Sequence, residues 1–249
     1  MRVFMFVLTV LSLSHAANGG ARAAELKIIA VNAAKGPLAE LISGFEKSSG
    51  HKVTAVWAGT EAITKRIVDG EASDLVVIAA QNVDKLIADG KLAAGRTDFA
   101  KVGVGMAVRS GLPKPDISSA DAVRKAVLDA KSIMYSTGPS GFYVAELFKT
   151  LGIADQIKDR LKQPPSGAQV GELIARGEAD LGFQQVTELV HVSGIDFLGP
   201  LPAEIQNVTV YSIGVHPASK EPDATKALIE YLTGADAAPV IRKAGMEPG

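Results

Sequence analysis

The 249-residue sequence predicts an α/β protein of two lobes, each a mixed, mostly parallel sheet flanked by helices. Three observations predict it. Short apolar strand patterns alternate with amphipathic helix patterns, which calls for parallel strands joined by right-handed crossovers. A phrase also recurs about half a chain apart. IVDGEASDLVVIAAQ from Ile67 and LIARGEADLGFQQ from Leu173 each read helix end, Gly, Glu-Ala, Asp-Leu, buried strand, glutamine. Two similar lobes produce such an echo without a tandem array. Finally, KVGVGMAVRSGLP, from Lys101 to Pro113, reads as a long strand that leaves the first sheet.

The elements follow in order. LKIIAV (Leu26 to Val31) is a buried-strand pattern. Leu38, Leu41, Ile42 and Phe45 then recur at i, i+3, i+4 and i+7, one face of a helix that Gly50 ends. HKVTAVWA is a strand, TEAITKRIVDG a helix closing at Gly70, SDLVVIAA a buried strand and NVDKLIADG a short helix. Beyond the long strand, SADAVRKAVLDA is a helix and KSIMYS a strand. SGFYVAELFKTLG is a helix with Val144, Leu147, Phe148 and Leu151 on one face. GAQVGELIARG, ADLGFQQ and the β-branched NVTVYSIGVH read helix, strand, strand, and two helical runs from Asp223 close the chain. The expected organisation is a leader over 1–23, a first lobe from 24–103 and 206–249, and a second lobe from 104–205. Hinges are expected near 102–106 and 203–208.

The leader reading rests on Arg2, the apolar run Val3 to Leu13, and small residues framing Ser14-His15-Ala16 and Ala21-Arg22-Ala23. That is a secretory signal peptide, too short to span a bilayer as a helix, with cleavage expected near Ala23. Export to the periplasm follows. Removing residues 1–23 takes out Arg2 and Arg22 and no acid, so the net charge moves from −1 to −3. No basic block exists, which argues against nucleic acid as a partner. Cysteine is absent. Disulfides, thiolate metal sites and cysteine nucleophiles are therefore excluded, and stability must come from a core of Ala, Val, Leu and Ile. No G-x-S-x-G, H-E-x-x-H or Walker A pattern occurs, and GVGMAV at Gly103 is an incomplete glycine pattern. His51, His191 and His216 are scattered and read as surface or turn residues. The expectation is a monomeric binding protein with no enzymatic activity, cofactor or metal.

Five turns at strand ends or helix starts carry the chemistry. They are Asn32 to Gly36, Ala58 to Glu61, Thr137 to Gly141, Pro165 to Gln169, and Gln184 to Thr187. Small residues let a ligand approach the backbone, and the N–H groups at helix starts favour negative charge. Thr60 and Ser140 add hydroxyls and Gln185 an amide. Each hydroxyl singly also reads as an N-cap. Together they point to a cleft that holds a small anion through neutral dipoles.

On LKIIAVNAAKGPLAELISGFEKSSGHKV, IVDGEASDLVVIAA, GPSGFYVAELFKTLG and RGEADLGFQQ, the sequence resembles the periplasmic molybdate-binding proteins of ABC transporters. These have the type II periplasmic binding protein fold, and the resemblance covers nearly the whole chain after the leader. It implies a tetrahedral dianion such as molybdate or tungstate as ligand and a membrane permease as partner. The family's first ligand serine falls at Ala33 and its second-turn serine at Thr60. Its third-turn and fourth-turn amides fall at Ser140 and Gly167, and its tyrosine hydroxyl at Gln185. Two donors are thus altered, each worth roughly 1.5–3 kcal/mol against a charged ligand. Asn32 and Lys35 are candidates to compensate. Lys35 opposes the helix dipole. It reads either as an exposed side chain or as the partner of a ligand carboxylate, which would make the ligand a small organic acid. Glu61 is expected to point away. A sensor receptor with the same pocket, and an exported enzyme, are further alternatives.

Overall fold

A computed structural model of the chain describes residues 23–249. The predicted leader lies outside the described residues, Ala23 excepted. The first strand, β1 (Glu25–Val31), buries Ile28, Ile29 and Ala30 completely, because helices cover both faces of the sheet. A 3-10 turn (Asn32–Ala34) leads into α1 (Lys35–Ser49). Pro37 is accommodated in the first turn of α1, where its missing N–H costs no helical bond. The predicted stripe of Leu38, Leu41, Ile42 and Phe45 is buried, and Gly50 ends the helix at φ 77°.

The chain continues through β2 (Lys52–Ala58), α2 (Thr60–Val68), β3 (Leu75–Ala79), α3 (Ala80–Ala88) and the 14-residue β4 (Arg96–Arg109). Next come α4 (Ala120–Asp129), β5 (Ile133–Tyr135), α5 (Pro139–Thr150), α6 (Ala154–Ile157) and β6 (Leu161–Lys162). Then follow α7 (Val170–Ala175), β7 (Leu181–Gln185), β8 (Ile195–Pro200), β9 (Val208–Val215), α8 (Pro222–Thr233), α9 (Ala238–Lys243) and β10 (Glu247–Pro248).

The strands run in the order β2-β1-β3-β9-β4-β7-β5-β6, with β8 and β10 also paired to β4. Two parallel cores stand out, β2-β1-β3 and β6-β5-β7. Every antiparallel pairing involves β4 or β9. The sheet is mixed for that reason: β9 runs against the parallel core of β1 and β3, and β4 runs against that of β5 and β7. β4 pairs with β9 through Gly103 and with β7 from Val104 onward. Each side of that change of partner has its own apolar core. One is built on Ile28, Val77, Leu38 and Ile63, the other on Val144, Phe148, Phe183 and Met106. Phe148 and Phe183 meet edge to face at 5.6 Å.

At the crossing, Val104 N donates to Gln206 Oε1 at 2.7 Å and Gln206 Nε2 donates to Val104 O at 3.1 Å. A Cβ on Gly103 would meet that amide at 2.9 Å, so a larger residue there would displace the Gln206 side chain. The recurring phrase also has a structural meaning. β3 is parallel to β1 and β7 is parallel to β5, and each is entered through a left-handed glycine, Gly70 or Gly177.

Candidate functional site

The carboxyl ends of β1 and β2 face those of β5 and β7 across a cleft of about 410 Å3, mouth included. Open α/β sheets bind ligands beyond these ends, where the loops are free of sheet pairing. Asn32, Ala33, Thr60, Ser140, Gly167 and Gln185 all line the cleft. Lys35 does not. It is exposed at the first residue of α1, with Ala33 and Ala34 buried just before it. The reading of Lys35 as a partner for a ligand carboxylate is therefore corrected. A cation there opposes the helix dipole and stays in water. Glu61 is likewise exposed and outside the lining.

The hydroxyls are not helix caps. Gly59 is the N-cap of α2 and Thr60 its first residue; Gly138 is the N-cap of α5, followed by Pro139 and Ser140. Neither helix start receives a side-chain cap, whereas Ser119 caps α4 by accepting from Ala122 N at 3.2 Å. Ser140 is buried with its Oγ 2.8 Å from Ser136 Oγ. A Cβ on Gly141 would sit 1.6 Å from Ser136 O, so only glycine lets α5 begin this close to the end of β5.

The two sides of the cleft touch. Asn32 Nδ2 donates to Gly167 O at 3.0 Å, and a Cβ on Gly59 would fall 2.8 Å from Ser166 Oγ. Gly167 itself has φ 84°, a left-handed conformation that glycine adopts without strain. Gln185 is buried and its Nε2 donates to Thr209 Oγ1 at 2.9 Å, leaving Oε1 without a partner. Turning the amide over keeps that bond, with the threonine hydroxyl as donor, and frees Nε2 for an anion.

Two titratable lining residues were not singled out from the sequence. Tyr211, in the middle of β9, brings a phenol into the wall. Burial and the neighbouring Glu188 carboxylate hold that phenol neutral, pushing its pKa up. Glu188 ends the 3-10 turn that follows β7. Its Oε1 accepts from Gln169 Nε2 at 3.2 Å. Gln184 also bonds to it, with its own amide oxygen committed to Val170 N at 2.8 Å. Burial outweighs both hydrogen bonds and pushes the Glu188 carboxyl up to about 7. Among the described residues, no lysine, arginine or histidine lines the cleft. Among the described residues, no cluster of three or more His, Asp or Glu could hold a metal ion. His216, read as a surface or turn residue, is buried in the turn after β9, where its Nδ1 accepts from Ala218 N and burial lowers its pKa.

A family model for bacterial extracellular solute-binding proteins matches residues 26–247. The chain belongs to that family. One relative, named aconitate isomerase, from Pseudomonas sp, is 36% identical over 230 residues, covering 90% of this chain and 87% of its own. Another, the molybdate-binding protein ModA of Azotobacter vinelandii, is 27% identical over 233 residues and covers 90% of both chains. The solved Azotobacter vinelandii periplasmic molybdate-binding protein superposes with a TM-score of 0.76 at 21% identity, over 90% of this chain and 99% of that one. The solute-binding chain thus has the type II periplasmic binding protein fold, as the sequence predicted. A relative named as an isomerase also means that membership of this family does not by itself exclude catalysis. Among the described residues, no helix is long and apolar enough to cross a membrane.

Proposed function

We propose that this solute-binding protein closes its two lobes around a small unsaturated polycarboxylate of the aconitate class. The single observation that carries the reading is the Glu188 carboxyl in the cleft wall. A tetrahedral dianion is charged on every side, so Glu188 repels it wherever it sits whenever that carboxyl is ionised. An extended acid separates its charge. Its carboxylates can take the free N–H groups and hydroxyls at the starts of α2 and α5, while its carbon chain lies against Glu188. The loss of the family's hydroxyl at Ala33, and the 36% identity to a protein named for aconitate, support the same ligand class.

A second reading keeps molybdate or tungstate as the ligand. It is favoured by a lining of neutral dipoles with no cation and by the ModA relatives. Under either reading the protein acts as a periplasmic monomer, with hinges where β4 and the segment before β9 cross between lobes. A membrane permease of the ABC type, or a sensor, receives the bound protein.

Thermal unfolding against a ligand panel separates the readings. A ligand at a hundred times its Kd stabilises by about 2.7 kcal/mol, several degrees in Tm. The carboxylate reading predicts such a shift with cis- or trans-aconitate and none with equal molybdate. The reverse pattern would establish the oxyanion reading.

A further inference from the structure

We propose that Glu188 is a general acid–base that moves a proton along the carbon chain of the bound acid, so that the protein isomerises an unsaturated polycarboxylate as well as binding it. The inference rests on the carboxylate reading above. Its geometric basis is a carboxyl placed in the wall of the ligand cleft and fixed there by two amides. Gln169 Nε2 donates to it at 3.2 Å. Gln184 is oriented by its bond from Val170 N, which leaves its Nε2 for Glu188. Among the described residues, Tyr211, from β9, is the other titratable group in the cleft wall, and no lysine, arginine or histidine lines the cleft to hold the carboxyl ionised.

A glutamine at this position would keep one acceptor oxygen for Gln169 without the cost of an ionisable group in the cleft wall. A carboxyl kept at that cost serves chemistry better than it serves packing. Burial holds it at about 7, close to the pH where a side chain can both take and return a proton. The phenol of Tyr211 stays protonated and is available as a neutral donor.

The step balances within the ligand. The Glu188 carboxylate takes a proton from a methylene that lies between a carboxylate and a carbon–carbon double bond. The C–H electron pair enters the double bond and gives an allylic carbanion spread over three carbons and the attached carboxylates. Donors at the starts of α2 and α5 stabilise that spreading charge. The protonated Glu188 then returns the proton to the far carbon, and the double bond moves one position. In a tricarboxylate with carboxyls on all three allylic carbons, this shift regenerates the same skeleton and can exchange the cis and trans forms. Glu188 ends as it began, and no oxidant or cofactor takes part.

The test uses the full protein, stripped of carried-over ligand, with cis- and trans-aconitate as probes in deuterated water. Proton NMR follows conversion between isomers and entry of deuterium at the methylene, while calorimetry measures binding. The expected result is protein-dependent interconversion with deuterium incorporation, at a rate that rises as pH passes through about 7. Glu188→Gln should lower that rate by about 10²–10⁴-fold and still bind the probe. If E188Q does not fold, E188D, which keeps the acid but withdraws it by one methylene, should slow the reaction at least about tenfold with near-unchanged affinity. Binding without interconversion or exchange would overturn the catalytic inference and leave the carboxylate reading standing. Absence of binding by both isomers would overturn both. A Glu188→Gln variant as fast as the parent protein would overturn the role of Glu188.

Discussion

Thr60 and Ser140 sit inside the first turns of α2 and α5, so alanine at either position removes a hydroxyl that neither helix needs as a cap. T60A and S140A should each weaken ligand binding by about 1.5–3 kcal/mol, roughly ten- to hundredfold in Kd by titration, with little change in unfolding temperature. Glu188 should behave in the opposite way. Its folded pKa of about 7 exceeds the ordinary 4.5, so the folded state holds the proton more tightly than the unfolded chain does. Stability is then full below pH 4.5 and falls as pH rises to about 7. Glu188→Gln removes that loss. The variant should match the parent near pH 4 and exceed it at pH 8 by about 1–3 kcal/mol, read by thermal unfolding at the two pH values. Thr60, Ser140 and Gln185 were legible as site candidates because turn chemistry at strand ends is local. Glu188 lies one residue beyond the turn that was read, and Tyr211 is a strand residue whose neighbours come from elsewhere in the chain. No sequence period marks either, because burial of a charge and the approach of β9 to β7 are tertiary events.

Among the elements, α5 is the one whose start is most narrowly determined. Gly141→Ala would force a methyl to within 1.6 Å of Ser136 O, and backbone cannot yield as a side-chain end does. A loss of about 1–3 kcal/mol or more is expected, visible as a drop in Tm, with ligand affinity lost as Ser140 is displaced. The entry to β3 is tied differently. Glu71 accepts from Arg66 Nη2 at 2.7 Å and from Lys27 Nζ at 2.8 Å, and these bonds hold its carboxyl down at about 2. The helices and most strands were readable because their apolar stripes are self-contained, as in Leu38, Leu41, Ile42 and Phe45. β8 was not read: Gly199 and Pro200 at its end look like loop, and it is a strand only because β4 offers a free edge beside β7. The short β6 and β10, two residues each, are likewise set by their partners.

For the whole molecule, the decisive feature is that the two lobes meet through a few side chains. Asn32 reaches Gly167 from one side of the cleft, and Gln206 holds β4 where it changes partner. Asn32→Ala should favour an open form. Small-angle scattering should show a larger radius of gyration for N32A than for the parent at the same subsaturating ligand concentration, with weaker overall affinity. The two-lobe design was visible in the recurring Gly-Glu-Ala-Asp-Leu phrase, since equivalent strands in the two lobes share their entry turns. The ligand was not, since the same backbone N–H groups serve molybdate and a carboxylate alike. One titration decides between the two ligands. The stripped protein would be titrated calorimetrically with cis-aconitate, trans-aconitate and molybdate in the same buffer. Saturable heat with an aconitate isomer, together with at least tenfold weaker or absent binding of molybdate, is the predicted result. Tight molybdate binding with no heat from either isomer would overturn the carboxylate reading.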